Sequence, residues 1–382
     1  MVIKRHSTRR RVTLHMITLA LLLLTIYLYQ SQSGRLPQLV AHAAAQVGLA
    51  QPEPQPGAIR AFFTTPALVY PDTPRQRPTA PLLAAVLADL DAARASVDLA
   101  SFDFDIPAIT DALLHAAARG VTVRLVVDSE NLDTPEVSEQ TGRLQRAGIA
   151  VHFDRREPFM HNKFIVVDGA VAWMGSWNVT DNDTWRNNNN MLRFASRQVA
   201  ADYAREFQQL FDGRFGTGKS SATPFPRVRV GGAQVEVYFS PEDGVAKYVL
   251  QRLAAAKHSI HFMAFSYTAN PIADAMVAQV KAGRMVRGVF EAQNAGGTGA
   301  AFNRLTQGGV DVLQDGNCYI LHHKVIVIDA RTVITGSYNF TNSAERDNDE
   351  NLVIVDDPAL ARAYLEEFER VYAQAQSPTR CR

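Results

Sequence analysis

The sequence contains two copies of a string in which histidine, lysine, serine and asparagine recur at the same spacing. The first copy, HNKFIVVDGAVAWMGSWN, begins at His161, and the second, HHKVIVIDARTVITGSYN, begins at His322. One constant offset relates every shared position, which indicates an internal duplication. The shared positions are Lys163 and Lys324, Asp168 and Asp329, Gly175 and Gly336, Ser176 and Ser337, and Asn178 and Asn339.

One copy already assembles groups that suit a phosphate ester. His161 and Lys163 are two residues apart, so in an extended segment their side chains point to the same side. The lysine supplies positive charge, while the hydroxyl of Ser176 and the amide of Asn178 supply hydrogen-bond donors. The histidine can act as a nucleophile or a general acid. A lone His-x-Lys would be weak support, but the complete string occurs twice and indicates function.

The second copy supplies what the first lacks. Cleaving a phosphodiester through a covalent intermediate needs an attacking group and a proton donor, and two histidines provide both. Two lysines and two asparagines would then stabilise charge on the non-bridging oxygens. We find no cluster with metal-ligand spacing, so the sequence predicts no metal, no cofactor and activity in EDTA. Asp168 and Asp329 end apolar strands, where a structural role such as bonding backbone is expected.

The elements around each motif repeat as well. ARASVDLASFDF at 93–104 is similar to AKHSIHFMAFSY at 256–267, and FIVVD and VIVID are apolar runs typical of buried strands. Each half ends in a run with apolar residues at helical spacing. We therefore predict an α/β fold with two tandem α/β/α halves, 59–217 and 227–378. They should pack pseudo-symmetrically so that the motifs meet.

The sequence of the first 58 residues predicts that they form a basic cytoplasmic stub, a membrane anchor and a tether. Residues 12–29 hold no full charge and would span about 27 Å as a helix. Basic residues precede this segment, so we expect a single-pass protein of the cytoplasmic membrane with its catalytic body on the extracytoplasmic side. The alternative is a cleaved signal peptide, which would make the protein secreted.

Composition adds three limits. The chain has 382 residues, of which 47% are hydrophobic and 20% are charged, an ordinary balance for a globular protein. Its net charge is +1, but the first 35 residues hold only basic charges, so the remainder is slightly acidic. That remainder exerts no general attraction on nucleic acid, although a local basic cleft is not excluded. Cys318 and Cys381 either form one disulfide or remain two thiols.

Both strings fit the signature His-x-Lys, four residues, Asp, six residues, Gly-Ser-x-Asn, and thus resemble the phospholipase D superfamily. The resemblance covers about residues 59–375. Two motifs in one chain are similar to phospholipases, cardiolipin synthases and related phosphodiesterases. The second half is also similar to small bacterial nucleases of the superfamily, which carry one motif and dimerise to build their site.

This resemblance implies a role for each motif residue. His161 would attack phosphorus and form a phosphohistidine, and His322 would be the acid/base, although the two roles could be exchanged. Glu350 matches an acid that orients the motif histidine, whereas position 189 is Asn, so His161 is predicted to lack a carboxylate partner. The residues expected to bind phosphate are Lys163, Lys324, Asn178 and Asn339, assisted by Ser176 and Ser337.

Four functions follow as hypotheses. The first is hydrolysis of phospholipid headgroup esters, or their transfer to another alcohol, with membrane phospholipid as the substrate partner. The alternative is a metal-independent endonuclease outside the cytoplasm, with nucleic acid as substrate. A cardiolipin synthase is disfavoured because those enzymes usually carry two N-terminal membrane segments, and a non-catalytic lipid-binding module would bind without turnover. No obligate protein partner is predicted.

Overall fold

The structure is a computed structural model that describes residues 57–64, 70–77 and 80–378. The described residues belong to one compact unit, in which each half is built on a mixed β-sheet. The elements of the first half are β1 Ile59–Phe63, α1 Pro81–Ala92, β2 Ser96–Ser101, α2 Pro107–Ala118, β3 Thr122–Val127, α3 Pro135–Arg146, β4 Ala150–Phe153, β5 Phe164–Val167, β6 Val171–Gly175, α4 Asp181–Trp185, β7 Asn190–Ala195 and α5 Arg197–Phe211.

The second half repeats this order with one added strand, β8, at its start and with two short helices, α8 and α9, in the place of α3. Its elements are β8 Arg227–Val230, β9 Ala233–Ser240, α6 Val245–Ala254, β10 Ser259–Ala264, α7 Asn270–Lys281, β11 Met285–Phe290, α8 Ala292–Ala295, α9 Phe302–Gln307, β12 Asp311–Gln314, β13 Lys324–Ile328, β14 Thr332–Gly336, α10 Asn342–Arg346, β15 Glu350–Asp356 and α11 Pro358–Gln376.

The two sheets share one topology. The first has the strand order β1-β7-β6-β5-β2-β3-β4, and the second has the corresponding order, with β9 in the place of β1 and β8 beside it. Strands β2, β3 and β4 are parallel, and β5, β6 and β7 form an antiparallel meander joined to β2 through β5. The strand after each His-x-Lys segment is therefore central, which explains why β5 and β13 consist of buried apolar residues beyond the lysine.

The last helix of each half lies between the two sheets. Helix α5 packs on the first sheet and reaches β9, and α11 packs on the second sheet and reaches β1. Both helices join the two sheets in one apolar core, while α1–α3 cover the outer face of the first sheet and α6, α7 and α9 cover that of the second. The result is five alternating layers, which confirms the predicted α/β fold with two similar halves.

The prediction of a single-pass membrane protein is contradicted and must be corrected. Within residues 57–64, 70–77 and 80–378, no helix is long and apolar enough to cross a membrane. The segment 12–29, on which the predicted anchor rested, lies outside the described residues. The membrane anchor and the extracytoplasmic location are therefore withdrawn. Cys381 also lies outside the described residues, so both alternatives given for Cys318 and Cys381 stand as predictions.

Candidate active site

The two His-x-Lys segments lie at the starts of the central strands β5 and β13. Lys163 and Lys324 are each only 1% exposed, and His161 and His322 are 6% and 7% exposed. Each lysine folds back so that its Nζ donates to the carbonyl oxygen of its own histidine, at 2.8 Å in the first half and 2.9 Å in the second. Two ammonium groups are thus held inside the protein, close to the histidine rings.

Backbone hydrogen bonds join the two halves beside both histidines. The amide of Asn188 donates to the carbonyl oxygen of Ile320 at 2.9 Å, and the amide of Asp349 donates to that of Phe159 at 2.8 Å. These bonds are related by the same duplication that relates the motifs. The motifs therefore meet at one junction between the halves, as the sequence predicted.

Each histidine is held by a residue from the opposite half. Nδ1 of His161 lies 2.8 Å from Oε2 of Glu350, and Nδ1 of His322 lies 2.8 Å from Oδ1 of Asn189. The prediction that His161 lacks a carboxylate partner is therefore wrong. The start of β15 borders the first half at the junction, so the side chain of Glu350 reaches across it. With both Nδ1 atoms engaged, Nε2 is the nitrogen available for chemistry in each ring.

The motif serines support these orienting residues. Ser176 and Ser337 are fully buried. The hydroxyl of Ser176 donates to Oδ1 of Asn189 at 2.9 Å, and that of Ser337 donates to Oε2 of Glu350 at 2.6 Å. Because both hydroxyls already donate to the residue that holds a histidine, this placement does not support the predicted role of assisting phosphate binding.

The motif asparagines retain free hydrogen-bonding capacity. Asn178 and Asn339 are partly exposed, and the buried Oδ1 of each has no hydrogen-bond partner within the described part of the chain. The glycine of each Gly-Ser turn permits this placement, because a Cβ on Gly175 would lie 2.2 Å from the carbonyl oxygen of Asn190. In the second half, a Cβ on Gly336 would lie 2.1 Å from the carbonyl oxygen of Asn351. Because Oδ1 is an acceptor, a phosphate would have to be bound by the Nδ2 group of each asparagine, and the phosphate-binding role stays a prediction.

Burial and positive charge dominate the electrostatics of the site. Burial lowers the pKa of Lys163 to about 8, and burial together with the charge of Lys163 holds the pKa of Lys324 well below its usual value. Burial and the two lysines lower the pKa of His161 well below its usual value, and the same causes lower that of His322 to about 3. Each ring therefore responds to both lysines, and a bound anion would relieve the repulsion.

Sequence reasoning missed Asp183, on the short helix α4. Its Oδ2 lies 3.4 Å from Nδ1 of His322. Burial acts to raise the pKa of Asp183, but His322 and hydrogen bonds from Asn187 and the Asn178 amide hold it well below its usual value. The repeat places Ala344 at the corresponding position. Comparing the two copies beyond their conserved motif would have exposed this difference.

Two other carboxylates were also missed, Asp128 and Glu291, which follow β3 and β11. Oδ2 of Asp128 accepts from the amide of Met160 at 2.7 Å, and Oε2 of Glu291 accepts from that of Leu321 at 2.6 Å. Both acceptors thus fix the residue that precedes a motif histidine. Burial raises the pKa of each carboxyl to about 7.

The motif aspartates lie outside the site, at the far ends of β5 and β13. Asp168 and Asp329 have positive φ angles of 53° and 54°. Each carboxylate accepts hydrogen bonds from three successive backbone amides that lead into the neighbouring strand, those of residues 94–96 and 257–259 respectively. This agrees with the predicted structural role of bonding backbone.

Comparisons with known proteins agree with this geometry. A family model described as "Cardiolipin synthase, PLD-like domain" matches residues 86–211 and again residues 249–372. The chain is 34% identical over 136 residues to phospholipase D of Rickettsia prowazekii, covering 36% of this chain and 66% of that protein. It is 37% identical over 119 residues to mitochondrial cardiolipin hydrolase of Xenopus tropicalis, covering 31% of this chain and 56% of that protein.

A solved structure of phosphatidylserine synthase from Haemophilus influenzae shares the fold over most of the chain. The likeness covers 84% of this chain and 87% of that one, with a TM-score of 0.59 and 12% sequence identity. The curated relatives are matched over shorter stretches, about two thirds and just over half of their own lengths.

Within the described residues, no group of three or more His, Cys, Asp or Glu side chains could hold a metal ion.

Proposed function

Since the chain belongs to the phospholipase D superfamily, we propose that it is a phosphodiesterase that hydrolyses the headgroup esters of phospholipids. The observation that supports this most is the meeting of two His-Lys-Asn sets at one junction, one set from each half. Each histidine is held through Nδ1 by the opposite half, which leaves Nε2 of each ring for chemistry at the junction.

The proposed reaction has two steps. In the first, Nε2 of His161 attacks phosphorus, and the bond from phosphorus to the leaving alkoxide breaks while His322 gives that oxygen a proton. In the second, His322 takes a proton from water, the water oxygen attacks phosphorus, and the phosphorus–nitrogen bond breaks to release His161. An alcohol in place of water would give transphosphatidylation by the same route.

Buried positive charge stabilises both transition states in this proposal. Lys163 and Lys324 would face the non-bridging oxygens, together with the amides of Asn178 and Asn339. In a water-poor site these groups act more strongly than in solvent, and they need no reorganisation as charge develops. The phosphate of the substrate would then bring a negative charge to both lysines.

Aromatic side chains beside the site favour a substrate with an apolar part. The partly buried ring of Phe102 lies 5.2 Å from that of His161, and that of Phe265 lies 4.8 Å from that of His322. Phe159 packs against Phe102 at 5.1 Å. The names of the curated relatives, phospholipase D and cardiolipin hydrolase, also support a phospholipid.

A direct test is turnover by the purified chain in EDTA. Phosphatidylcholine vesicles, cardiolipin vesicles and single-stranded DNA are offered side by side to wild type, His161→Ala and His322→Ala. His115→Ala, a change at an exposed position of α2, is the matched control. We expect headgroup release by wild type and by the control, and none by the two site variants.

The other outcomes separate the alternatives. DNA cleavage without lipid turnover would contradict the lipid proposal and favour the nuclease. Lipid that is bound equally by wild type and His161→Ala, without turnover, would favour a lipid-binding module. Loss of wild-type activity in EDTA would contradict the proposal that the two lysines supply the required charge.

A further inference from the structure

The two halves place a carboxylate beside the opposite histidine from different sequence positions. Position 350 is Glu where position 189 is Asn, and position 183 is Asp where position 344 is Ala. Each half therefore has one carboxylate and one neutral residue at these two positions, with the order exchanged. An exchange of this kind keeps one carboxyl group in each half.

The geometry shows that the exchanged carboxylates occupy corresponding places. Nδ2 of Asn187 donates to Oδ1 of Asp183 at 2.7 Å, and in the second half Nδ2 of Asn348 lies 3.5 Å from Oε1 of Glu350. Asn187 and Asn348 are related by the duplication. The same asparagine in each half thus contacts a carboxylate that leaves the backbone at a different position.

The contact with His322 is divided between two side chains. Oδ1 of Asn189 lies 2.8 Å from Nδ1 of His322, and Oδ2 of Asp183 lies 3.4 Å from the same atom. Asn189 is an uncharged acceptor, so it can fix the orientation of the ring without favouring its protonated form. Asp183, which is only 2% exposed, adds the negative charge that Asn189 does not have.

We propose that Asp183 is a positioning residue for His322, which replaces the carboxylate missing at position 189 and stabilises the imidazolium that protonates the leaving alcohol. This inference rests on the proposed function. It assigns the acid/base role to His322 and leaves His161 as the nucleophile. The proton moves from Nε2 of His322 to the leaving oxygen, and Nδ1 keeps its proton throughout.

Other charges around His322 act in the opposite sense. Lys324 and Lys163 both disfavour its protonation, and Asp183 is the carboxylate that favours it. Asp103 and Asp105 lie close enough to Asp183 to interact with it electrostatically. When a phosphodiester binds, its negative charge offsets the lysines, and the effect of Asp183 on His322 then decides the protonation of the ring.

A purely structural role for Asp183 makes a different prediction. Its Oδ2 also accepts a hydrogen bond from the backbone amide of Asn178 at 2.7 Å. If Asp183 only held that loop, its loss would weaken phosphate binding and slow every substrate alike. If it acts through His322, the loss depends on how much the leaving group needs a proton.

The first experiment compares two leaving groups in wild type and Asp183→Asn. For a phospholipid headgroup, whose alkoxide must be protonated, we expect the rate of the first step to fall by about 100-fold. For a p-nitrophenyl phosphodiester, whose anion leaves unaided, the burst of p-nitrophenolate should change by less than about threefold. An equal loss on both esters would overturn the inference.

A rescue variant keeps the test informative if Asp183→Asn perturbs folding. Asp183→Ala with Asn189→Glu gives the first half the pattern that Ala344 and Glu350 form in the second. We expect this double variant to recover headgroup release to within about tenfold of wild type, whereas Asp183→Ala alone stays about 100-fold below it. A double variant no better than the single one would contradict the inference.

A measurement that does not depend on activity separates this inference from the proposed function. The protonation midpoint of His322 is followed by NMR of labelled imidazole in wild type and Asp183→Asn, with inorganic phosphate in both samples. We expect a lower midpoint in the variant, and an unchanged midpoint would overturn the inference. If wild type turns over no phosphodiester, the proposed function fails, and the NMR result still decides the contact between Asp183 and His322.

Discussion

The two half-sites are alike where they would meet a phosphate and different where they hold a histidine. Both present a buried lysine bonded to the carbonyl oxygen of its own histidine, and both have a partly exposed asparagine after the Gly-Ser turn. Behind the rings, Nδ1 of His161 contacts Glu350, whereas Nδ1 of His322 contacts both Asn189 and Asp183.

This difference indicates which properties the two halves must share. A single phosphate needs the same positive charge from either side, so the lysines and asparagines are duplicated. A nucleophile and a general acid need different basicities. Burial raises the pKa of Glu350 to about 8, while Asp183 is held in its ionised form. The environments behind the rings thus differ in charge at neutral pH.

Removing one histidine at a time should produce the largest effect and divide their roles. Both His161→Ala and His322→Ala should lower headgroup release by at least about 1,000-fold. With a p-nitrophenyl phosphodiester, His322→Ala should still form the phosphohistidine, because that leaving group needs no proton. Mass spectrometry of acid-free, quenched protein measures the adduct. An adduct in His161→Ala and none in His322→Ala would reverse the assignment.

Replacing the lysines tests the feature that the two half-sites share, a buried positive charge beside the phosphate. Lys163→Met and Lys324→Met should each lower kcat by about 100- to 1,000-fold, because each removes a charge that stabilises the transition state. Each should also raise the free energy of unfolding by about 1–3 kcal/mol, since a buried ammonium is replaced by an apolar chain. Urea denaturation measures this gain.

The gain in the free energy of unfolding expected for Lys163→Met should depend on pH. Its folded pKa of about 8 lies below the unfolded value, so the unfolded chain binds the extra proton between these two values and stability rises with pH there. The gain in Lys163→Met should therefore be complete below pH 8 and shrink above it.

Lys219→Met is the contrasting control. Lys219 is buried with Glu206, Glu242 and Asp349 within 3.0 Å, so its loss should destabilise the protein.

An intermediate effect is expected from Glu350→Gln. Below about pH 8 the raised pKa of Glu350 leaves the carboxyl protonated, and above it the carboxylate accepts from Nδ1 of His161 and makes Nε2 a better nucleophile. Relative to the variant, wild type should gain about tenfold in kcat/KM as pH rises through 8. Parallel pH profiles of the two proteins would show that ionisation of Glu350 does not matter.

The smallest effect on activity should come from the motif aspartates. Asp168→Ala and Asp329→Ala each leave three backbone amides without an acceptor and place Ala at a positive φ angle. Each should lower the free energy of unfolding by about 1–3 kcal/mol, with kcat changed by less than about twofold. Chemical denaturation and headgroup release measure the two quantities. A large loss of kcat would place these residues in the chemistry.

Much of the fold could be predicted because it depends on patterns within each copy. Apolar, β-branched runs predicted the central strands after Lys163 and Lys324, and helical spacing predicted α5 and α11. The duplication predicted that the halves would resemble each other and meet at their motifs. These features follow from the local sequence and from burial.

The contacts behind the histidines could not be predicted in the same way. Glu350 follows His322 in sequence but holds His161. This contact was missed because residues that meet across the junction have no characteristic spacing in the sequence. The same reason concealed Asp183, whose partner His322 lies in the other half. The contacts of the serines could not be predicted either, because a hydroxyl near a phosphate site can donate to the ligand or to the groups behind it, and the sequence does not distinguish the two.

The backbone bonds that join the halves at Asn188 and Asp349 have an evolutionary consequence. Two identical subunits meeting at this junction would carry the same residue behind both histidines, since symmetry repeats every substitution on both sides. A gene that encodes both halves in one chain is free of that constraint. Substitutions such as Asn at position 189 and Asp at position 183 can then be selected on one side alone, so that duplication followed by divergence yields two specialised half-sites.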